Sequence, residues 1–270
     1  MASGSGTPAA AREGMSRFVR GTCSLVVVGL LWEVFARSGL FAPALAPPLL
    51  AIGDTLGRSL LDGSMLRHAA YTLFRVLFGF LLAGLVAVPI GILMGRLRRV
   101  ERFFVPLISV LMPIPSLAWV PVFILWFGLG NAATISLIFY AATFPIALNA
   151  WTGVRSLNRI WIRAAETMGA DEKALFRKVV LPGSLPFVLT GLRLGFARAW
   201  IAVVGGEMIA ASAWGLGWVI FDAKEFLNTD IMLGALAVIG AVGLACERLV
   251  FQAIERRTVG RWGMVRAVRG

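Results

Sequence analysis

The sequence predicts an all-α integral membrane protein with six transmembrane helices, on three observations. Hydrophobic residues make up 59% of the 270 and charged residues 15%, with a mean hydropathy of +0.83. A soluble domain carries roughly 45–50% apolar and about 25% charged residues, so the surplus apolar surface has to face lipid. Second, uncharged runs are long: twenty residues from Val76 to Gly95, and the whole of 103–154. Third, the 26 Lys and Arg, against 14 Asp and Glu, collect in alternate connecting segments. At about 20 residues per span, this length holds five to seven helices and no separate catalytic domain.

Residues 1–15 are small and polar and read as a disordered tail. The apolar stretch from Gly21 to Ala36 follows Arg17 and Arg20 and contains Glu33. It reads as a retained first span. A signal peptide is the alternative, because the small-residue pairs Ala42-Pro43-Ala44 and Ala44-Leu45-Ala46 stand at a cleavage distance. The second span is Val76 to Gly95, closed by the basic patch Arg96-Leu97-Arg98-Arg99. As one helix, 103–154 would be on the order of 75–80 Å long, against a hydrocarbon core of about 30 Å. It must turn, and Gly128-Leu129-Gly130-Asn131 is the turn, giving spans at 104–127 and 132–152. Two more follow at 185–211 and 231–252, separated by a polar stretch with Asp222, Lys224, Glu225 and Asp230. The transmembrane domain is thus 16–255, followed by a basic tail, 256–270.

Charge sets the orientation. With the N-terminus inside, the inner segments hold 18 Lys and Arg and the outer segments 4. Basic residues concentrate on the cytoplasmic side, so both termini are cytoplasmic, and the net charge of +12 needs no nucleic acid.

Between the fourth and fifth spans, 157–179 is rich in helix formers and lacks proline. Trp161, Ala165 and Met168 form one helical stripe; Leu175, Phe176 and Val179 form a second. Gly169 turns the chain between two short helices, and Leu181-Pro182 ends the second. Such a pair lies on the membrane, caps the bundle, or docks into a partner's groove.

Buried charges in the spans cost about 2.5–3.5 kcal/mol each on insertion scales, so each needs a partner or water. Counted from Pro186, Arg193 and Arg198 lie about 10 and 18 Å into the bilayer, with Glu207 near the outer surface. Arg193 reads as the partner of Glu247 or of backbone carbonyls; Arg198 reads equally as a structural partner or as a pathway residue. Arg75 and Glu33 are expected at the outer ends of their spans, where snorkelling suffices. The third span carries Pro106, Pro113, Pro115 and Pro121, which break its hydrogen-bond ladder. That makes it either a kinked packing helix or a broken helix lining a pathway, with Ser116 and Trp119 facing a substrate. Cys23 and Cys246 read as small core residues. One histidine, His68, makes no metal site, and HExxH, CxxC and GxxxxGK[ST] motifs are absent, so the chain carries no P-loop for ATP.

The spacing Ala164-Ala165, three residues, Gly169, nine residues, Val179-x-Leu181-Pro182 resembles the EAA loop of the permease subunits of ATP-binding-cassette importers. Ile114-Pro115-Ser116-Leu117-Ala118-Trp119-Val120-Pro121, Leu125-Trp126-Phe127-Gly128-Leu129-Gly130, Phe144-Pro145-Ile146 and Thr190-Gly191-Leu192-Arg193 resemble the permeases for sulfonates, taurine and nitrate. Arg163 stands where the motif has Glu, and Val179 where it has Ile. The resemblance implies a type I importer permease fold in a bacterial inner membrane, with a second permease copy. It further implies two ATPase subunits that bind ATP and Mg, while this chain binds no cofactor, and a periplasmic or tethered binding protein that delivers the solute. It implies ATPase coupling through Ala164, Ala165, Met168 and Gly169, with Leu181 and Pro182 closing the motif. Ser116, Trp119, Arg198 and Glu207 are the expected pathway residues, and the cargo is a small anion, most simply a sulfonate such as taurine, with nitrate or another small solute as the alternative. An ion-gradient-driven transporter would be expected to show two related halves and acidic residues at the midplane. An intramembrane enzyme would need a catalytic constellation at depth. Neither feature is visible in the sequence.

Overall fold

A computed structural model describes residues 23, 24, 26–210 and 213–251. Every regular element among them is a helix. The two expected tails, and the beginning of the expected first span, lie outside the described residues. From 26 to 37 that segment is helical (α1). Its Glu33 accepts the Arg37 side chain at 2.6 Å and the Leu49 backbone N–H at 2.8 Å. Glu33 thereby caps the next helix, α2 (Leu49–Leu61), instead of merely snorkelling.

Among the described residues, four helical segments are long and apolar enough to cross a membrane. These are α3 (Ser64–Arg96), α6 (Asn131–Arg155), Glu172–Ala210 and Thr229–Leu249. The expected third span differs. It is two helices, α4 (Arg98–Leu111) and the segment Ser116–Phe127, bent by 90° at the break; the second ends in α5 (Val120–Phe127). Only two of its four prolines make the break. Pro106 lies inside α4 and Pro121 in the first turn of α5, where a missing N–H costs nothing. Pro113 and Pro115 fall where neither helix can continue. The turn between α5 and α6 is where the glycines put it, with Gly128 at φ 75° and Gly130 at φ 125°.

The fifth span also starts earlier than expected. After α7 (Arg159–Thr167) and α8 (Glu172–Leu175), the chain passes through a π-helical turn, Phe176–Val180, into α9 (Leu181–Ala210). Leu181-Pro182 therefore does not end a helix. The extra residue of the wider turn accommodates the proline ring and its missing donor. The polar stretch after α9 contains another helix, α10 (Leu216–Glu225), before α11 (Thr229–Cys246). Leu216, Val219 and Ile220 of α10 are buried with Met65, Ala235 and Ile239. Of the two cysteines, Cys23 is exposed and Cys246 half-buried, so only the latter approaches the core.

At the centre α6 lies between α3 and α9. Ala83 and Ala87 of α3, Ala142 and Ile146 of α6, and Ala199 and Val203 of α9 are all fully buried there. Small residues allow the close approach. Gly79, Ala83, Ala87, Gly91 and Gly95 recur every four residues along α3, a stripe that lets two helices meet without a hydrophobic driving force between them. A Cβ on Gly91 would stand 2.4 Å from the Ala147 carbonyl oxygen, and one on Gly195 would stand 2.6 Å from Ile146 Cγ1. Gly91→Leu is therefore expected to force α3 and α6 apart and to destabilise the fold by about 1–3 kcal/mol or more. Gly53→Leu, at a site with nothing within 4 Å of an added Cβ, should leave the thermal midpoint in detergent near that of the unmodified protein.

Candidate functional site

The break between α4 and α5 opens a cavity of about 630 Å³. Residues 112–116 form one wall; Tyr140, Phe144, Pro145 and Asn149 of α6 form the second; Leu194, Arg198 and Ile201 of α9 form the third. The break is held by α6, whose Tyr140 hydroxyl donates to the Leu111 carbonyl at 2.6 Å. Phe144 meets Tyr140 edge-on with centroids 4.9 Å apart. The Asn149 amide donates to the Pro145 carbonyl at 2.8 Å, which leaves its oxygen free of that bond.

Arg198 is exposed on the cavity wall and has no ion pair or hydrogen bond among the described residues. Arg193, one and a half turns earlier, does have one: its guanidinium holds Glu247 at 2.5 Å. The two arginines of one helix are thus separated in role, one engaged and one available. Ser116 lines the cavity with Arg198. Trp119 does not; it lies behind the wall, against Tyr140 at 5.3 Å and Phe123 at 6.1 Å. Tyr140, Phe144 and Asn149 were not anticipated, although polar Tyr140 and Asn149 inside an uncharged run were the available signal.

Glu207 is placed elsewhere altogether. It is fully buried, and so is Arg75, whose Nη1 lies 2.7 Å from Glu207 Oε1. The expectation that Arg75 snorkels and that Glu207 lines the pathway is corrected by this pair: neither ion could be buried without the other. The remaining bonds are satisfied as well. Glu207 Oε2 accepts from Thr72 Oγ1 at 2.8 Å and from the Gly217 N–H at 3.0 Å. Arg75 also donates to Asn131 Oδ1 at 2.7 Å and to the Trp214 carbonyl at 2.5 Å. Three successive amides of the chain entering α10 are read by side chains: Gly215 by His68 Nδ1 at 3.1 Å, Leu216 by Thr72 Oγ1 at 2.8 Å, and Gly217 by Glu207. A Cβ on Gly215 would lie 2.4 Å from the Glu207 carboxyl carbon, so only glycine fits there. His68, Thr72 and Arg75 share one face of α3 and clamp this connection to α9.

At the opposite end, α7 projects from the bundle with no buried residue. The Asn158 side chain caps it, accepting from the Ile160 N–H at 2.9 Å. Its apolar stripe is uncovered, with Trp161 57% and Met168 88% exposed, while Ala164 is exposed and Ala165 half-buried. Gly169 turns the chain at φ 79°, its N–H bonded to the Glu166 carbonyl at 2.9 Å. Asp171 then caps α8 by accepting from the Ala174 N–H at 2.7 Å. Leu181 and Pro182 stand at the start of α9, Leu181 partly exposed.

Comparison with known proteins places this arrangement. The family described as binding-protein-dependent transport system inner membrane component matches residues 87–260. The taurine transport system permease protein TauC of Escherichia coli (strain K12) is 36% identical over 241 residues, covering 87% of this chain and 86% of the relative. The bicarbonate transport system permease protein CmpB of Synechococcus elongatus is 33% identical over 232 residues, covering 82% of each chain. In fold, a chain of the MetNI methionine ABC transporter, in an inward-facing conformation, superposes with a TM-score of 0.58 at 18% identity, over 70% of this chain and 95% of that one. The family match takes in the broken helix, the cavity and the α7–α8 loop alike. The protein belongs to the binding-protein-dependent transport system inner membrane components, as an ABC transporter permease with the type I importer fold.

Proposed function

We propose that this chain is the membrane-spanning permease of an ATP-driven importer for a small anionic solute, most simply a sulfonate such as taurine. The observation that carries the reading is Arg198 on the wall of the cavity at the helix break, without an ion pair or hydrogen bond among the described residues. A guanidinium offers planar, bidentate donors that match sulfonate oxygens and stays charged at any relevant pH. Ser116 and Asn149 add neutral polar groups beside it. Tyr140, Phe144, Leu194 and Ile201 add carbon surface that suits an organic sulfonate better than bicarbonate or nitrate, which have no carbon tail. Relatives named for taurine and for bicarbonate support an anion. The contact is a passing one, because a pathway must release what it binds.

In this reading α7 is the coupling helix. Its exposed stripe enters a groove on a separate ATPase subunit, with Ala164 and Ala165 permitting close approach and Met168 acting as an adaptable knob. Gly169 sets the angle of the hairpin, and Leu181 and Pro182 join it to the cavity-lining helix α9. ATP and Mg are bound by that partner. Two copies of the chain form the pathway, a binding protein delivers solute to the outer face, and both termini are cytoplasmic in a bacterial inner membrane. The 18-to-4 division of Lys and Arg supports that orientation.

The test is uptake of labelled taurine, alkanesulfonate and bicarbonate by cells that depend on this permease with its ATPase and binding protein. Arg198→Gln is expected to slow uptake of the preferred anion about 10-fold, equivalent to ~1.4 kcal/mol, while the complex assembles and hydrolyses ATP basally. Full anion uptake by a stable Arg198→Gln protein removes the assignment.

A further inference from the structure

At the end of α3 the chain reverses into α4, bringing Arg96, Arg98, Arg99 and Arg102 together at one face of the bundle. Arg96 is engaged, lying over the Phe176 ring at 5.0 Å. Arg155, at the nearby end of α6, pairs with Glu101 and covers the Trp151 ring. Glu101 is the acid of the first turn of α4, and Arg155 has taken it. Arg98, Arg99 and Arg102 are exposed and carry no ion pair or hydrogen bond among the described residues. Three cations crowd one turn, at the end of a helix whose dipole already disfavours them unless an anion is near.

On the side of α4 that carries Arg99, with Arg102 next to it and Arg98 further round, the surface then turns apolar. Phe103, Leu107 and Val110, spaced by four and three residues, are 64%, 44% and 68% exposed, while Ile108 on the other side is buried. From Arg99 to Val110 the helix rises about 16 Å, and one leaflet's share of a 30 Å hydrocarbon core is about 15 Å. The face therefore has a cationic end and an apolar strip, Phe103 to Val110, that rises about 10 Å, so that the two together span about one leaflet.

We propose that Arg98, Arg99 and Arg102 hold the phosphate of one anionic phospholipid of the inner leaflet, with an acyl chain along Phe103, Leu107 and Val110. The leaflet rests on the orientation proposed above; the binding itself does not. Charge complementarity selects this occupant over a second copy of the chain. A two-fold axis along the membrane normal would bring the same arginine-bearing end to the same depth, setting cations against cations.

The test uses the full chain, purified with its ATPase in mild detergent and equilibrated with phosphatidylglycerol or phosphatidylcholine, with bound lipid counted by native mass spectrometry. At roughly fivefold per cation, the unmodified protein should prefer phosphatidylglycerol on the order of 100-fold. The triple variant Arg98→Gln, Arg99→Gln, Arg102→Gln should lose that preference. Lys173→Gln, Arg177→Gln, Lys178→Gln, which removes equal charge from the α8 region, should keep it. Absence of headgroup preference in the unmodified protein overturns the proposal without recourse to any variant. So does equal phosphatidylglycerol retention by the arginine triple variant, loss of preference in the α8 control, or efficient disulfide cross-linking of Phe103→Cys between two copies in native membranes.

Discussion

Glu207→Ala is expected to destabilise the protein by about 3–5 kcal/mol, the largest effect of any single substitution considered. The change leaves the Arg75 guanidinium, with a side chain 3% exposed, without its counter-charge. It also strips the Thr72 hydroxyl and the Gly217 amide of an acceptor. Thermal unfolding in detergent and the folded yield from membranes measure it. Glu207→Gln should fall between, because an amide keeps an acceptor oxygen but not the charge. The double variant Arg75→Met, Glu207→Leu should recover part of the loss, since apolar groups of similar volume leave no charge unpaired. A Glu207→Ala protein with an unchanged midpoint and impaired anion uptake would instead return Glu207 to the transport path.

Gly169→Val should abolish transport, lowering solute-dependent uptake by tenfold or more, while the protein inserts and folds. At φ 79° a side chain costs roughly 1–2 kcal/mol, and a β-branched one the most. No atom lies within 4 Å of where the Cβ would stand, so the penalty is conformational and falls on the α7–α8 turn alone. The turn relaxes to another shape, and the hairpin no longer presents Met168 and the alanines at one angle. Co-purification with the ATPase and solute-stimulated hydrolysis are the measurements. Gly169→Asn, which tolerates the left-handed region, should retain most of both. Equal behaviour of the Val and Asn proteins would mean that the turn's geometry is irrelevant to coupling.

What was legible in the sequence is what depends on neighbouring residues or on bulk transfer to lipid. Hydropathy is additive along a segment, so the long apolar runs Val76–Gly95 and 132–152 announced helices that the structure contains. A left-handed turn requires glycine locally, so Gly128, Gly130 and Gly169 marked their turns correctly. The Arg193–Glu247 pair was also anticipated, because two charges at depth with few alternatives must find each other.

Other features depended on which faces meet, and a linear pattern does not carry that information. Four prolines in one span could not say which of them bends it. Pro121 sits in the first turn of α5 and Pro106 lies inside α4 without breaking it, and the 90° bend falls at Pro113 and Pro115, where Tyr140 from another helix donates to the Leu111 carbonyl. Leu181-Pro182 looked like a helix end until the π-turn showed how a proline can be absorbed. Arg75 and Glu207 lie 132 residues apart, and each alone reads as a surface or pathway charge. By itself the sequence determined the membrane class, most of the spans and the turn chemistry of the α7–α8 loop, because these follow from transfer energy and local backbone geometry. Only the tertiary structure decided that Glu207 is a buried counter-ion while Arg198 stands at the cavity without a partner among the described residues, because the cost of a charge at depth is set by the partner that packing brings to it.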